Sequence, residues 1–171
     1  MNDDNNYLMH WSNELDHVSL VENCIMIDKM IDLVKSKNAG AVSTFLGTTR
    51  DTFEDKIVSH LRYEGYNEMA IECMKEICNN IRLKWKVVKI VIQHKLGECP
   101  IGEISVLIAI SSVHRIESLQ AVQYAIDELK RSVPIWKKEF YNDNDSNWKI
   151  NNEFEIWKKS LQDNKILKQA K

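Results

Sequence analysis

Ile104-Ser105-Val106-Leu107-Ile108-Ala109-Ile110-Ser111-Ser112-Val113 is the stretch on which the fold turns. It is almost continuously apolar and rich in β-branched residues. Gly102 stands before it, and His114-Arg115 follow. Such a run reads as a strand covered on both faces, and so as the centre of a sheet. Working back, residues 87–95 (VVKIVIQHK) form a second strand, and Gly97, Pro100 and Gly102 punctuate the loop between the two. Residues 67–85 read as a helix, with Ala70, Met74, Ile77, Cys78 and Ile81 as its apolar stripe. Residues 56–66 alternate Ile57, Ser59, Leu61 and Tyr63 against Val58, His60, Arg62 and Glu64, the pattern of a half-exposed strand. Residues 40–48 (GAVSTFLGT) read as a buried strand, and a polar loop runs on to Asp55. Residues 28–36 suggest a short helix capped by Asp28 and stopped at Asn38-Ala39-Gly40. Strand-like composition marks residues 17–27, while residues 1–16 are polar and expected to be weakly ordered.

Downstream, residues 118–131 read as a helix with Leu119, Val122, Ile126 and Leu129 on one face. Pro134 ends it. Proline has no N–H, its ring clashes with the preceding turn, and Val133 is pushed toward extended geometry. Lys130 therefore lies in the last turn, and Lys137 returns along another path. A polar turn over residues 142–147, Trp148 as an anchor and a loose or amphipathic tail complete the chain. Adjacent strands imply hairpins, so the sheet is mixed or antiparallel. The expected class is α+β with helices packed on one face. The expected organisation is one domain over 17–153, between a flexible segment 1–16 and a tail 154–171.

With 171 residues and 44% hydrophobic content, the chain can bury a sizeable core in a single domain. Its formal net charge of -2 gives no bulk attraction to nucleic acid or to a membrane surface. No apolar run reaches the ~20 residues of a membrane span, and the polar N-terminus lacks the pattern of a targeting signal. The 4 cysteines, Cys24, Cys73, Cys78 and Cys99, show no CxxC spacing. The histidines show no metal-ligand spacing either. A cytosolic protein with free thiols and no metal or cofactor is expected.

Three places concentrate chemistry. His114-Arg115 closes the central strand just before a helix, where helix N–H groups point at anions. Arg115 offers a bidentate donor and His114 an imidazole that titrates near neutrality. From the residues alone, an exposed arginine beside a hydrogen-bonded histidine reads as well. Lys130, Arg131, Lys137 and Lys138 surround Pro134 and Trp136, with Glu139 able to orient one of them. Lysine acts as acid, base or nucleophile when its surroundings favour the neutral amine. The same set also reads as a solvated cationic face, and Lys130 alone as a complement to the helix dipole. Gly47-Thr48-Thr49-Arg50-Asp51 ends a strand with Arg50 able to face the same cleft, a weak signal by itself and without a phosphate-loop pattern. Together these suit a small anionic ligand.

Four stretches, in this order, carry a resemblance: residues 40–51 (GAVSTFLGTTRD), 61–66 (LRYEGY), 111–115 (SSVHR) and 133–139 (VPIWKKE). Over roughly residues 18–150 the chain resembles the catalytic (large) subunit of molybdopterin synthase, the eukaryotic branch above all. The resemblance implies a hammerhead-like α+β fold. It also implies a sulfurtransferase that converts cyclic pyranopterin monophosphate to the dithiolene of molybdopterin. The sulfur donor is a small ubiquitin-like subunit with a C-terminal Gly-Gly thiocarboxylate, in a heterotetramer built on a dimer of large subunits. It implies that Lys130 is the essential lysine and Lys137 the second one. His114 and Arg115 become pterin-phosphate contacts, Lys138 and Glu139 substrate contacts, and Arg50 a residue of the pocket. No metal is implied, since molybdenum enters later. Some members carry a further basic residue after the equivalent of Trp148, reaching across the dimer; here Lys149 is followed by Ile150-Asn151-Asn152. A non-catalytic module that docks a ubiquitin-like tail or an anionic metabolite, and a Schiff-base enzyme, are the alternatives.

Overall fold

The structure, a computed structural model, describes residues 7–53, 55–141 and 146–149. The elements are β1 (Tyr7–Ser12), β2 (Asp16–Val21), α1 (Ile27–Val34), β3 (Ala41–Thr48), β4 (Thr52–Phe53), β5 (Lys56–Gly65) and α2 (Asn67–Lys84). There follow β6 (Val87–Lys95), β7 (Gly97–Pro100), β8 (Ile104–Ser112), α3 (Arg115–Ser132), β9 (Ile135–Tyr141) and β10 (Ser146–Lys149). They build two mixed or antiparallel sheets. The first has the order β1-β2-β6-β8-β3; the second runs β10-β9-β5-β4, with β7 also paired to β5. β2 and β6 pair in parallel, and the other pairs are antiparallel.

The apolar run that opened the reading is β8, buried from Ser105 to Ser112. Successive side chains point to opposite faces of a strand. Val106, Ile108 and Ile110 therefore enter the core shared with α2 and α3. Leu107 and Ala109 enter a second core with Met30 and Val34 of α1. Two hydrophobic layers explain a strand without polar alternation. Each fully buried aliphatic side chain contributes about 1.5–3 kcal/mol. The α+β class and the mixed sheet stand, but α1 covers the face opposite α2 and α3, so helices lie on both faces of the first sheet. The short amphipathic α1 carries no sign in its own residues of which face it will cover.

Other departures have local causes. Residues 7–12 are a strand rather than weakly ordered chain: β1 pairs with β2, and its Met9 and Trp11 pack on the main core. β3 is a sheet edge, not a buried strand. Its odd positions face α3, through Ser43 Oγ to Ser118 Oγ at 2.8 Å and through Phe45, while Val42 and Leu46 stay exposed. Met26, not Asp28, occupies the N-cap of α1. In α3 the buried face is Ser118, Ala121, Val122, Ala125, Ile126 and Leu129, and Leu119 lies outside it. The alternation of β5 breaks at a bulge between Val58 and His60, which turns both Val58 and Leu61 inward and leaves Ser59 out. β10 begins inside the expected turn of residues 142–147, and the tail 154–171 lies outside the described residues.

Ile108→Ala, at a fully buried position, is expected to destabilise the protein by about 2–5 kcal/mol. Leu119→Ala, at a position 55% exposed, should change stability by no more than about 0.5 kcal/mol. Urea unfolding of the two variants checks both.

Candidate functional site around the Pro134 turn

α3 stops where the sequence says it must. The Val133 N–H still donates to the Leu129 carbonyl at 3.1 Å, and Pro134 then turns the chain into β9. The turn is seated on β5: the Tyr66 N–H donates to the Pro134 carbonyl at 3.1 Å. A Cβ on Gly65 would lie 3.1 Å from both that carbonyl oxygen and Ile135 Cγ1, so the glycine permits the close approach. β9 then runs antiparallel to β5, with Ile135 opposite Gly65, Lys137 opposite Tyr63 and Glu139 opposite Leu61.

The alternation of a strand separates the basic residues. Lys137, Glu139 and Tyr141 share the inner face; Trp136, Lys138 and Phe140 share the outer one. Lys137 Nζ lies 3.0 Å from Glu139 Oε1, and the Tyr141 hydroxyl donates to Glu139 Oε2 at 2.6 Å. Glu139 is 2% exposed, whereas the Lys137 side chain keeps 37% of its surface. A buried carboxylate thus holds the ammonium of a lysine whose side chain stays partly open to solvent. Lys138 points away, its ammonium 5.1 Å from the centroid of Phe140, on which His60 stacks at 4.4 Å. Glu98 ties His60 and Arg62 together on that outer face, each at 3.0 Å.

Beneath Lys137 is a layer of buried polar groups. Tyr63 is hydrogen-bonded to Ser105, and burial holds its phenol above the usual range. The His94 ring meets it edge-on at 5.1 Å. His94 is pushed down to about 4 by burial, with Nδ1 at 2.7 Å from the Lys95 carbonyl oxygen. Thr49 Oγ1 donates to Cys99 Sγ at 3.3 Å, and burial raises the Cys99 thiol. Arg50 follows Thr49 and is exposed, on a shallow depression with Thr52, Phe53 and Asp55. Cys99 pairs with Leu61, and Leu61 with Glu139, so Arg50 and Glu139 belong to the same end of the molecule.

His114 and Arg115 do not. His114 is the N-cap of α3 and Arg115 its first residue, both exposed. The Ser112 hydroxyl donates to the His114 carbonyl. Gly40 fits tightly beneath them, because a Cβ there would come within 2.5 Å of the Val113 oxygen. In the β3–β8 register, Ala41 lies opposite Ser112 and Thr48 opposite Ile104. Arg115 and Arg50 therefore flank opposite ends of β3, on the order of 25 Å apart at about 3.4 Å per residue. Arg115 and Lys130 are separated by roughly 22 Å of helix at about 1.5 Å per residue. Within one chain the fold directs the last turn of α3, with Lys130, toward the end of the molecule that holds Arg50 and the Lys137–Glu139 pair. It leaves His114-Arg115 at the other and turns Lys138 to the outer face. The residues missed from sequence are Tyr63, Ser105 and Tyr141. Once 135–141 is read as a strand, the spacing of Lys137, Glu139 and Tyr141 by twos would have found the last. Among the described residues no cluster of His, Cys, Asp and Glu could hold a metal ion, and no helix is long and apolar enough to cross a membrane.

A family model described as MoaE protein matches residues 20–132. The chain is 56% identical over 126 residues to the molybdopterin synthase catalytic subunit of Arabidopsis thaliana, which covers 74% of this chain and 63% of that protein. It is 47% identical over 156 residues to molybdopterin synthase catalytic subunit 1 of Aedes aegypti, which covers 90% of this chain and 100% of that protein. The crystal structure of molybdopterin synthase from Staphylococcus aureus superposes with a TM-score of 0.74 at 35% identity, over 77% of this chain and 95% of that one. A complex of subunits 1 and 2 of molybdopterin-converting factor from Helicobacter pylori shares the fold, with a TM-score of 0.64 at 21% identity, over 77% and 88% of the two chains.

The buried His94 sets a pH dependence. Unfolded, an imidazole takes its proton near ~6.5; folded, His94 resists protonation down to about 4. On acidification the unfolded state binds the proton first, so stability falls between those two values. The loss from His94 should be on the order of 3 kcal/mol. His17, also pushed to about 4 by burial and by His10, steepens the fall. Urea midpoints measured across this range should drop less in His94→Gln than in the wild type.

Proposed function

The chain belongs to the MoaE protein family, and from that premise we propose that it is the catalytic subunit of molybdopterin synthase, a sulfurtransferase of molybdenum cofactor biosynthesis. It takes sulfur from the thiocarboxylated C-terminus of a small ubiquitin-like subunit and delivers it to cyclic pyranopterin monophosphate, forming the dithiolene. The observation that carries this reading is the Pro134 turn: it brings Lys137, anchored on buried Glu139, to the end of the molecule where α3 finishes with Lys130. Both reactants are anions at the reacting end, one a thiocarboxylate and the other a phosphate, and both call for fixed cations.

In this reading Lys130 is the acid/base group or transient acyl acceptor for release of the donor's terminal carbonyl. Lys137 stabilises the negative charge of thiocarboxylate or phosphate, and Arg50 extends the positive field, while Lys138 stays on the outer face of β9. His114 and Arg115 hold the pterin phosphate. Since they lie some 22 Å from Lys130 in the same chain, one pterin cannot touch both sets. A homodimer inside the heterotetramer, with His114-Arg115 of one copy facing Lys130 and Lys137 of the other, makes the site whole. A cytosolic setting is consistent with the 4 free cysteines.

Dithiolene formation from thiocarboxylated small subunit and pterin precursor should fall roughly 10²–10⁴-fold in Lys130→Ala. Near-normal transfer by that variant would overturn the reading, and binding without turnover in the wild type would leave a docking module. If the site is shared, mixing Lys130→Ala with Arg115→Ala chains restores one intact site per mixed dimer, about a quarter of all sites under random pairing. No recovery on mixing would put each site within a single chain.

A further inference from the structure

We propose that Tyr141 is a positioning residue for Lys137, acting through Glu139. The inference rests on the catalytic reading of Lys137 given above and adds what sets that lysine's reach. The three side chains stand at alternate positions of β9 and so share its inner face. Glu139 is 2% exposed and Tyr141 6%. Each carboxylate oxygen has its own donor: Lys137 Nζ at 3.0 Å on Oε1 and the Tyr141 hydroxyl at 2.6 Å on Oε2. A buried carboxylate demands donors on both oxygens. With the phenol occupying Oε2, the lysine is tethered by Oε1 alone, and its remaining N–H bonds can point to the open side.

The phenol is itself fixed. Its ring packs with Val58, Leu61 and Cys99. The bulge in β5 sets Val58 opposite Tyr141, and the Lys56 ammonium lies 5.1 Å from the ring centroid. The other phenol on this face, Tyr63, is engaged with Ser105. Charged and titratable groups facing Glu139 and Tyr141 include Lys137 on their own strand, Tyr63 and Lys56 on β5 and, beside Tyr63, Cys99 on β7.

Tyr141→Phe keeps the ring and removes the donor. In the sulfur-transfer assay it should lower kcat about 10-fold, the worth of one charge-assisted hydrogen bond. In a Glu139→Leu background it should cost nothing further, because no acceptor is left at position 139 for the phenol. An unchanged kcat, or the same loss in both backgrounds, overturns the proposal; the second result would mark a packing role. A measurement independent of turnover accompanies it: lysine ¹H–¹³Cε spectra of the full chain, with Lys137 assigned by Lys137→Arg. The Lys137 Hε pair should be split in the wild type and closer to averaged in Tyr141→Phe and in Glu139→Gln. Identical spectra in the wild type and Tyr141→Phe overturn the proposal. The expected spectral change with no product from the wild type upholds the positioning role and sinks the catalytic reading instead.

Discussion

A carboxylate removed from water constrains everything around it. Left without a partner, such a charge destabilises a fold by about 3–5 kcal/mol. Glu139 avoids that with Lys137 and Tyr141, which stand two residues to either side of it on a strand. That strand exists in this place because Pro134 forbids α3 from continuing and Gly65 lets the turn settle against β5. Lys137 is therefore fixed by a chain of requirements that begins with backbone geometry. Had the helix run on, Lys130 and Lys137 would have lain along one exposed face, with no buried counter-charge between them.

The same logic explains the two core layers. β8 needs apolar side chains on both faces because α2 and α3 cover one and α1 covers the other. Its ends are where chain polarity delivers polar groups. One end leads to the helix start at His114-Arg115; the other lies beside Glu103, Thr49 and the Arg50 loop. A sheet of this length cannot bring its two ends to one small ligand. Two copies related by a two-fold axis can, because wherever residue i of one meets residue j of the other, j also meets i.

Much of the fold was legible from pattern. The stripe Ala70, Met74, Ile77, Cys78 and Ile81 is buried throughout, and residues 87–95 and 104–112 are strands. What failed has physical reasons. The bulge at Val58–His60 is a backbone insertion that no alternation rule contains. Leu119 fits the helical period but falls just outside the covered arc of α3. β9 was hidden because lysines and a glutamate on an inner face do not look like a strand until their mutual pairing is known. The candidate residues Lys130, Lys137, Lys138, Glu139, Arg50, His114 and Arg115 come from motifs alone. Their division between two ends of the molecule does not, because a motif carries no distance.

The parallel pairing of β2 with β6 bears on how the chain assembles. Asp16 lies beside Ile90, so that ladder cannot close until α1, the β3–β5 region and α2 have been laid down between its two strands. Closing so long a loop carries an entropic cost that the local β6–β8 hairpin avoids. On that ground the β1–β2 hairpin is expected to join the sheet after β6 and β8 have paired. In native-state hydrogen exchange its amides should open at lower denaturant than those of β6 and β8, as a separate cooperative unit. Equal protection of both groups would mean that the sheet opens as one body.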